Sequence, residues 1–371
     1  LAGEVEVLPG GRRVRGWTHT DSDLGGDFIV YFDATFDRDI IEHGTWADGV
    51  VGSEATASGE SVGAWVAFDL TTGDAVQAEV GISYTGPDGA EANRLAESVA
   101  TLDEAHSRAA DAWAERLALI ELEGGDPHEQ RIFYSALYHV FQHPTLFTDN
   151  DGSYRGFDDQ VHNDSRPFYT DFSLWDTYRT LHPLLILLLP DESADMAQSM
   201  VRMYEQSGGL PRWALGTSDG GSMIGTSADI VLAETWLKGV TDFDVDTAWE
   251  GMIAHADGPW SPGGRDGIEN YLSLGYVTAD TQGGSVSRTQ EFAWDDWSMS
   301  NLAAARGDTV EANRLFERSH NPRNLWDPSV EFFRGRNVDG TWDESFASTR
   351  WEEYYTEGDA WQHLWLTPHI D

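Results

Sequence analysis

A change of hydrophobic period near residue 88 most limits what this chain can become. Upstream of it, the run Phe28-Ile29-Val30-Tyr31-Phe32-Asp33-Ala34-Thr35-Phe36, with Asp27 before it, has the period-two stretches and β-branched content of a strand. Residues 64–69 and 76–84 repeat the character, with Gly/Asp/Ser-rich turns between. This pattern predicts part of an antiparallel sandwich. Downstream, 90–119 is rich in Ala, Glu, Leu and Arg at helical spacing, which predicts one or two helices linking two domains. A break at 123–127 follows, with Pro127 at a first-turn position. Further helices are expected over 128–142, 173–188, 193–206, 227–238, 245–255, 287–305, 310–319 and from 358 onward. Helices joined by long loops rich in Trp, Asp and Gly predict a helical barrel whose loops build a site at one end.

A chain of 371 residues, 40% hydrophobic, suits two domains with filled cores. No apolar run reaches the roughly 18 residues that span a bilayer. The stretch 181–190 is short, carries His182 and Pro183, and reads as a buried helix. No signal peptide and no initiating Met is present, so Leu1 is expected not to be the native start. The net charge of −41, from 64 acidic and 23 basic residues, works against nucleic acid and anionic membrane surfaces as partners. An acidic surface suits solubility or a salty habitat; it also suits divalent cations, and charge alone does not choose. The lack of Cys excludes disulfides, thiolate zinc sites and cysteine nucleophiles. Sixteen Trp and twelve Tyr fill cores or stack on sugar faces.

Four clusters could carry chemistry. In Phe172-Ser173-Leu174-Trp175-Asp176-Thr177-Tyr178-Arg179, Ser173 can cap a helix with Trp175 and Asp176 in its first turn. A carboxylate beside an indole suits a sugar, and equally a plain helix start. Gly208 to Trp213 is a loop ending in Arg212 and Trp213, a packed turn or a rim. Around Arg288, residues Glu291, Asp295 and Asp296 lie between aromatics. Glu291 and Asp295 share a helix face and repel unless a cation, an arginine or a substrate is present, while Arg288 could pair internally with Glu291. Glu357 lies among Tyr354, Tyr355 and Trp361 before a helix, as a general acid with raised pKa or as a capping group. Two separated carboxylates among aromatics suggest glycoside hydrolysis. Nucleophile elbow, phosphate loop, zinc-protease and EF-hand motifs are missing, and the His143-Pro144 and His182-Pro183 pairs lack metal-ligand spacing.

Read in order, these segments resemble glycoside hydrolase family 92. The resemblance rests on Ile132 to His139, Asp151 to Gly156, Phe172 to Arg179 with Leu181-His182-Pro183-Leu184, Gly209 to Trp213, Met223-Ile224-Gly225, Leu237-Lys238-Gly239, Ser287 to Trp297, and Glu357 to Gln362. Upstream, Val80 to Tyr84 and Ala92-Asn93 also fit. The resemblance implies an α+β multidomain fold. Residues 1–88 would be part of an N-terminal antiparallel β-sandwich, 89–124 a helical linker, and 125–371 an incomplete (α/α)6-type barrel. It implies a calcium-dependent, inverting, exo-acting alpha-mannosidase, secreted, periplasmic or on the cell surface. Its substrate would be a mannose-containing oligosaccharide of N-glycans or mannans, with alpha-1,2 links favoured.

Carried over by motif, Glu357 is the expected general acid, and Asp176 binds mannose hydroxyls. Trp175, Arg212, Trp213, Glu291, Asp295 and Asp296 are expected to line the pocket. An acid at 357 favours a mannoside over a mannose phosphodiester, because a sugar alkoxide needs a proton to leave. The family's chains run longer. Where this one reads Thr367-Pro368-His369-Ile370-Asp371, the family continues to a His-Gly-Asn-Glu-Pro-type and a Gly-Asn-Asp/Glu-Asp-type motif, which supply the main Ca2+ ligands and the general base. Those residues stay unassigned, and a second chain or segment would complete the barrel. The other readings are a non-catalytic mannose-binding protein and a different helical-barrel hydrolase or lyase.

Overall fold

The computed structural model describes residues 2–20, 28–258, 263–351 and 353–370, so Asp27 of the first expected strand lies outside the described residues. The chain forms two compact units, Leu1–Thr170 with Gly216–Ser218, and Asp171–Leu215 with Asp219–Asp371. The secondary structure changes character near residue 88, but the units divide at Thr170.

Eight strands open the first unit: β1 (Gly3–Val7), β2 (Arg13–Thr20), β3 (Phe28–Phe36), β4 (Ile40–Ala47), β5 (Val50–Gly52), β6 (Thr56–Gly59), β7 (Val62–Phe68) and β8 (Ala78–Ser83). They form a five-stranded sheet, β6-β1-β2-β3-β8, and a three-stranded sheet, β5-β4-β7. Every pairing is antiparallel. Val5 and Val7 of β1 point inward with Val14 and pack on Phe32, Ile40 and Val66, so side chains from both sheets share one core.

Two helices then lie where the linker was expected, α1 (Pro87–Glu97) and α2 (Leu102–Leu117), followed by α3 (Pro127–Val140). Thr101 caps α2 by accepting from Glu104 N–H, and Asp126 with Glu129 forms a capping box at α3. Helix α1 lies against β8 at Gly81, where an added Cβ would stand 2.3 Å from Ala90 O. Its Arg94 reaches buried Asp33 on β3 at 2.6 Å, and Arg13 takes the other oxygen of Asp33.

The second unit is helical: α4 (Leu174–Thr177), α5 (Leu181–Leu188), α6 (Pro190–Ser207), α7 (Ala228–Leu237), α8 (Val245–Asp257), α9 (Ile268–Leu274), α10 (Ser285–Ala305), α11 (Thr309–Arg318) and α12 (Ala360–His363). The helix expected over 173–188 is two. Pro183 has no N–H for the Arg179 carbonyl and its ring collides there, so helix cannot run through the junction. The helix expected from 358 is only the four residues of α12, and α9 was not foreseen. Helix α10 is the spine of this unit and packs on α7, α8 and α11. It is buried on most sides, including Glu291, Asp295 and Asp296.

Candidate functional site

The amino end of α10 meets the segment before α12. The amides of Val286 and Ser287 both donate to Tyr354 O, and Gly284 N–H donates to Glu353 O. These bonds satisfy donors that a helix start leaves open. Thr356 N–H donates to Ser287 Oγ at 2.7 Å, and Gln290 Nε2 donates to His363 O. Asp359 closes α12 with a capping box to Gln362. Glu357 is thus fixed between two anchored points, with a left-handed backbone (φ 52°). Its carboxyl is exposed and has no protein hydrogen bond among the described residues.

Glu357 opens onto a cavity of about 490 Å3 lined with Met223, Ile224, Arg288, Glu353 and Tyr355. Arg288 is aimed by its own bonds, from Nε to Gly283 O and from Nη1 to Asp266 Oδ2 at 2.7 Å. The pair it could have made with Glu291 does not form. A free carboxyl and a guanidinium lining one open cavity can both hydrogen-bond the oxygens of a ligand.

The 223–226 wall of this cavity is held from behind. Met223 has φ 68°, and its carbonyl accepts from Arg212 Nη1 at 3.3 Å. Arg212 is buried, its second nitrogen donates to Gly264 O, and Asp266 lies 3.7 Å away. Burial lowers the guanidinium's pKa against the pull of Asp266. Asp219 accepts from the backbone amides of Arg212 and Trp213, which sets the direction of that loop. Gly225 (φ 75°) rests on Glu291, where an added Cβ would meet Glu291 Cβ at 3.1 Å.

Glu291 also holds the Trp175 turn. Its two oxygens accept from Trp175 Nε1 at 3.2 Å and Tyr178 Oη at 3.0 Å, with Arg179 at 3.8 Å. Burial pushes its pKa up to about 7 against the pull of Arg179. Ser173 does not cap α4; its hydroxyl donates to the exposed Asp176 carboxylate. Trp175 and Asp176 do not line the Glu357 cavity. They connect to its wall through Glu291 and Gly225.

Four residues expected to line a pocket are therefore covered. Glu291 is 1% exposed, Asp295 and Asp296 are 0%, and Arg212 is 3%. Asp296 accepts from Arg265 Nη1 at 2.6 Å, Arg318 Nε at 2.7 Å and Tyr271 Oη at 2.9 Å. Those cations depress its pKa despite burial. Asp295 accepts from Thr226 N–H at 2.9 Å, and burial raises its pKa to about 6. Helical spacing places these residues on α10, but only the packing of α7, α9 and α11 covers them. Arg265, Asp229, Thr226 and Asp266 escaped sequence reasoning, because an Arg-Asp pair between glycines has no periodicity to mark it. Among the described residues there is no group of three or more His, Asp or Glu able to hold a metal ion. The side chains present do not by themselves form the Ca2+ site expected from the resemblance.

A model for the glycosyl hydrolase family 92 catalytic domain matches residues 89–370, and one for the family's N-terminal domain matches 1–83. A family 92 inverting mannosidase from Bacteroides thetaiotaomicron superposes with a TM-score of 0.94 at 29% identity, over 99% of this chain and 51% of its own. A family 92 alpha-mannosidase from the same organism, also solved with mannoimidazole bound, gives 0.93 at 30% identity, over 99% of this chain and 50% of its own. An uncharacterized secreted glycosidase from Arthroderma benhamiae is 26% identical over 337 residues, 79% of this chain and 39% of that protein. The chain thus spans about half the length of these solved relatives.

Proposed function

The chain belongs to glycosyl hydrolase family 92, and from that premise we propose that it is the core of an exo-acting alpha-mannosidase that releases terminal alpha-linked mannose. The observation that carries this reading is the exposed Glu357 carboxyl, on a backbone anchored on both sides, lining one open cavity with Arg288. The mannosidase titles of the structural relatives point to the same sugar. Glu357 is assigned the delivery of a proton to the leaving oxygen, without which a sugar alkoxide is a poor leaving group. Arg288 orients the ring by charge-assisted hydrogen bonds. Asp176, on the exposed turn that Glu291 holds outside the lining of the Glu357 cavity, keeps the hydroxyl-binding role that the resemblance implies. In an inverting reaction a second carboxylate activates water on the opposite face, roughly 6.5–9.5 Å from the acid. We assign that base to none of the described residues.

Calcium dependence is part of the proposal, and no step is routed through the ion. Its ligands would come from outside the described carboxylates. An apolar groove of about 540 Å3 along Pro183, Leu237, Trp294 and Trp297 suits a further segment completing a helical barrel. A secreted, periplasmic or cell-surface location is proposed from the secreted relative. No helix among the described residues is long and apolar enough to cross a membrane.

Proton NMR of alpha-1,2-mannobiose with this protein tests the reading, with calcium and then with EDTA. The expected result is initial β-mannose that EDTA abolishes. Glu357→Gln should lower kcat about 10^2–10^4-fold. Full activity in that variant removes Glu357 as the acid, and initial α-mannose removes inversion.

A further inference from the structure

Beneath the cavity wall, three aspartates and two arginines share a buried layer. Asp229 on α7 and Asp295 and Asp296 on α10 are wholly buried, as is Arg265 from the loop before α9, with Arg318 of α11 at its edge. Asp296 takes the closest contact of Arg265 and two bonds from Arg318, which also pairs with Asp257 at 2.5 Å. Asp229 and Asp295 have only Arg265, at 3.4 and 3.9 Å, and each keeps an oxygen with no partner among the described residues. Between them stands one hydroxyl. Thr226 Oγ1 lies 2.6 Å from Asp229 Oδ2 and 3.0 Å from Asp295 Oδ2, and Arg265 Nε donates to it from 3.2 Å.

A threonine hydroxyl has one proton and two lone pairs. Arg265 uses one lone pair. The lone hydroxyl proton serves one carboxylate, and two ionised oxygens around it would leave the second contact without a hydrogen. Every contact is satisfied if one aspartate carries a proton and donates it to Thr226. Asp295 Oδ2 already accepts the Thr226 amide at 2.9 Å, which suits an ion, whereas Asp229 Oδ2 has no amide and, apart from the Thr226 contact, accepts only a long 3.4 Å bond from Arg265 Nη2. We propose that Asp229 is a buried carboxylic acid that donates through the Thr226 hydroxyl to ionised Asp295, and that this single proton positions the 223–226 wall of the Glu357 cavity.

Ionising both Asp229 and Asp295 would leave two charged, buried oxygens without a hydrogen-bond partner among the described residues, which is costly. Burial raises the pKa of both Asp229 and Asp295, and Arg265 opposes it. The other charged or titratable groups around the pair are Glu291 and Asp296 on α10, Arg212 and Tyr178 on the Asp295 side, Tyr271 on α9, and Arg318 on α11, which also pairs with Asp257. Helices α5, α6 and α8 contribute none of the ion pairs of Asp229 among the described residues. Asp229 is a positioning residue: it touches no ligand and acts through Thr226 on Gly225, Ile224 and Met223. The inference goes beyond the mannosidase reading and stands whatever sugar fills the cavity.

The test is the thermal unfolding midpoint of the 371-residue chain against pH, with the infrared carbonyl band of protonated carboxyls. Asparagine at 229 mimics the neutral acid, since its amide can donate to Thr226. Asp229→Asn should unfold within about 2 °C of the parent at pH 5. A raised folded-state pKa gives stability present below the ordinary aspartate range and lost as pH rises through the folded value. The parent should therefore fall below Asp229→Asn at pH 8. Asp295→Asn should unfold lower than the parent at both pH values. In a Glu291→Gln background at pH 7, a protonated-carboxyl band should be present and Asp229→Asn should remove it. The proposal is overturned if that band is unchanged by Asp229→Asn, or by a midpoint lowered more in Asp229→Asn than in Asp295→Asn. If Asp229→Asn does not fold, Thr226→Ser and Thr226→Val decide. Loss of stability in the valine variant alone supports the relay, and equal stability overturns it.

Discussion

Asp295 and Asp296 are neighbours on one helix, equally buried, and their acidities move in opposite directions. Asp296 points to the α9 and α11 side, where Arg265, Arg318 and Tyr271 meet its oxygens at 2.6–2.9 Å. Asp295 points to the 223–226 loop, where one amide and one hydroxyl are its partners and Arg265 stands off at 3.9 Å. One turn earlier, Glu291 has the same character, with Trp175 and Tyr178 as donors and Arg179 at 3.8 Å. Desolvation is common to all three; the number of cations within contact distance separates them. One side of α10 is an ionic lock between helices. The other holds loops through carboxyls whose pKa burial has raised, and those loops carry the cavity wall and the Trp175 turn.

The largest effect should come from breaking the lock. Asp296→Ala leaves two guanidinium groups without their main counter-charge and should cost about 3–5 kcal/mol in urea unfolding. A cost under about 1 kcal/mol would mean that Asp296 is no lock. Next comes the pH response of Glu291. Its folded pKa, about 7, lies above the ordinary 4.5, so its contribution is complete below about pH 4 and lost as pH rises through 7. The loss should be on the order of 3 kcal/mol over that window, and Glu291→Gln should remove that part of the slope. An unchanged slope in the glutamine variant would place the titration elsewhere. Asp295→Asn should cost less, about 1–3 kcal/mol, because the amide keeps an acceptor for Thr226 N–H while the charge opposite Arg265 is lost. The reference for both sides is the solvent-facing pair Arg202–Glu205 on α6, 2.9 Å long. Glu205→Ala should change stability by less than about 0.5 kcal/mol.

Much of the fold is visible in the pattern of the chain. The alternation in β3, β7 and β8 follows from side chains that face opposite ways along a strand. Helices α6, α7, α8, α10 and α11 lie within three residues of their expected bounds, because each has a capping residue or a proline or glycine at its ends. The short elements were less legible. Four-residue α4 and α12 have no period long enough to read, and their positions depend on the β-ladder at Phe172 and on the anchoring of Thr356. In the site, Glu357 stood out because its neighbours are aromatic. Asp229 and Arg265 did not, since nothing local distinguishes a surface ion from a buried one.

The sequence by itself determined the order of strand-rich and helix-rich parts, the carboxylates placed on α10, and membership of the family. These follow from local periodicity and from motifs contiguous in the chain. Only the tertiary structure decided which carboxylates meet solvent. Glu357 and Asp176 are exposed, whereas Glu291, Asp295 and Asp296 are sealed beneath the 223–226 loop and the arginines. The reason is physical: burial and ion pairing are set by atoms far apart in the chain. Arg265 reaches Asp296 across 31 positions and Trp175 reaches Glu291 across 116, and no local pattern encodes those contacts.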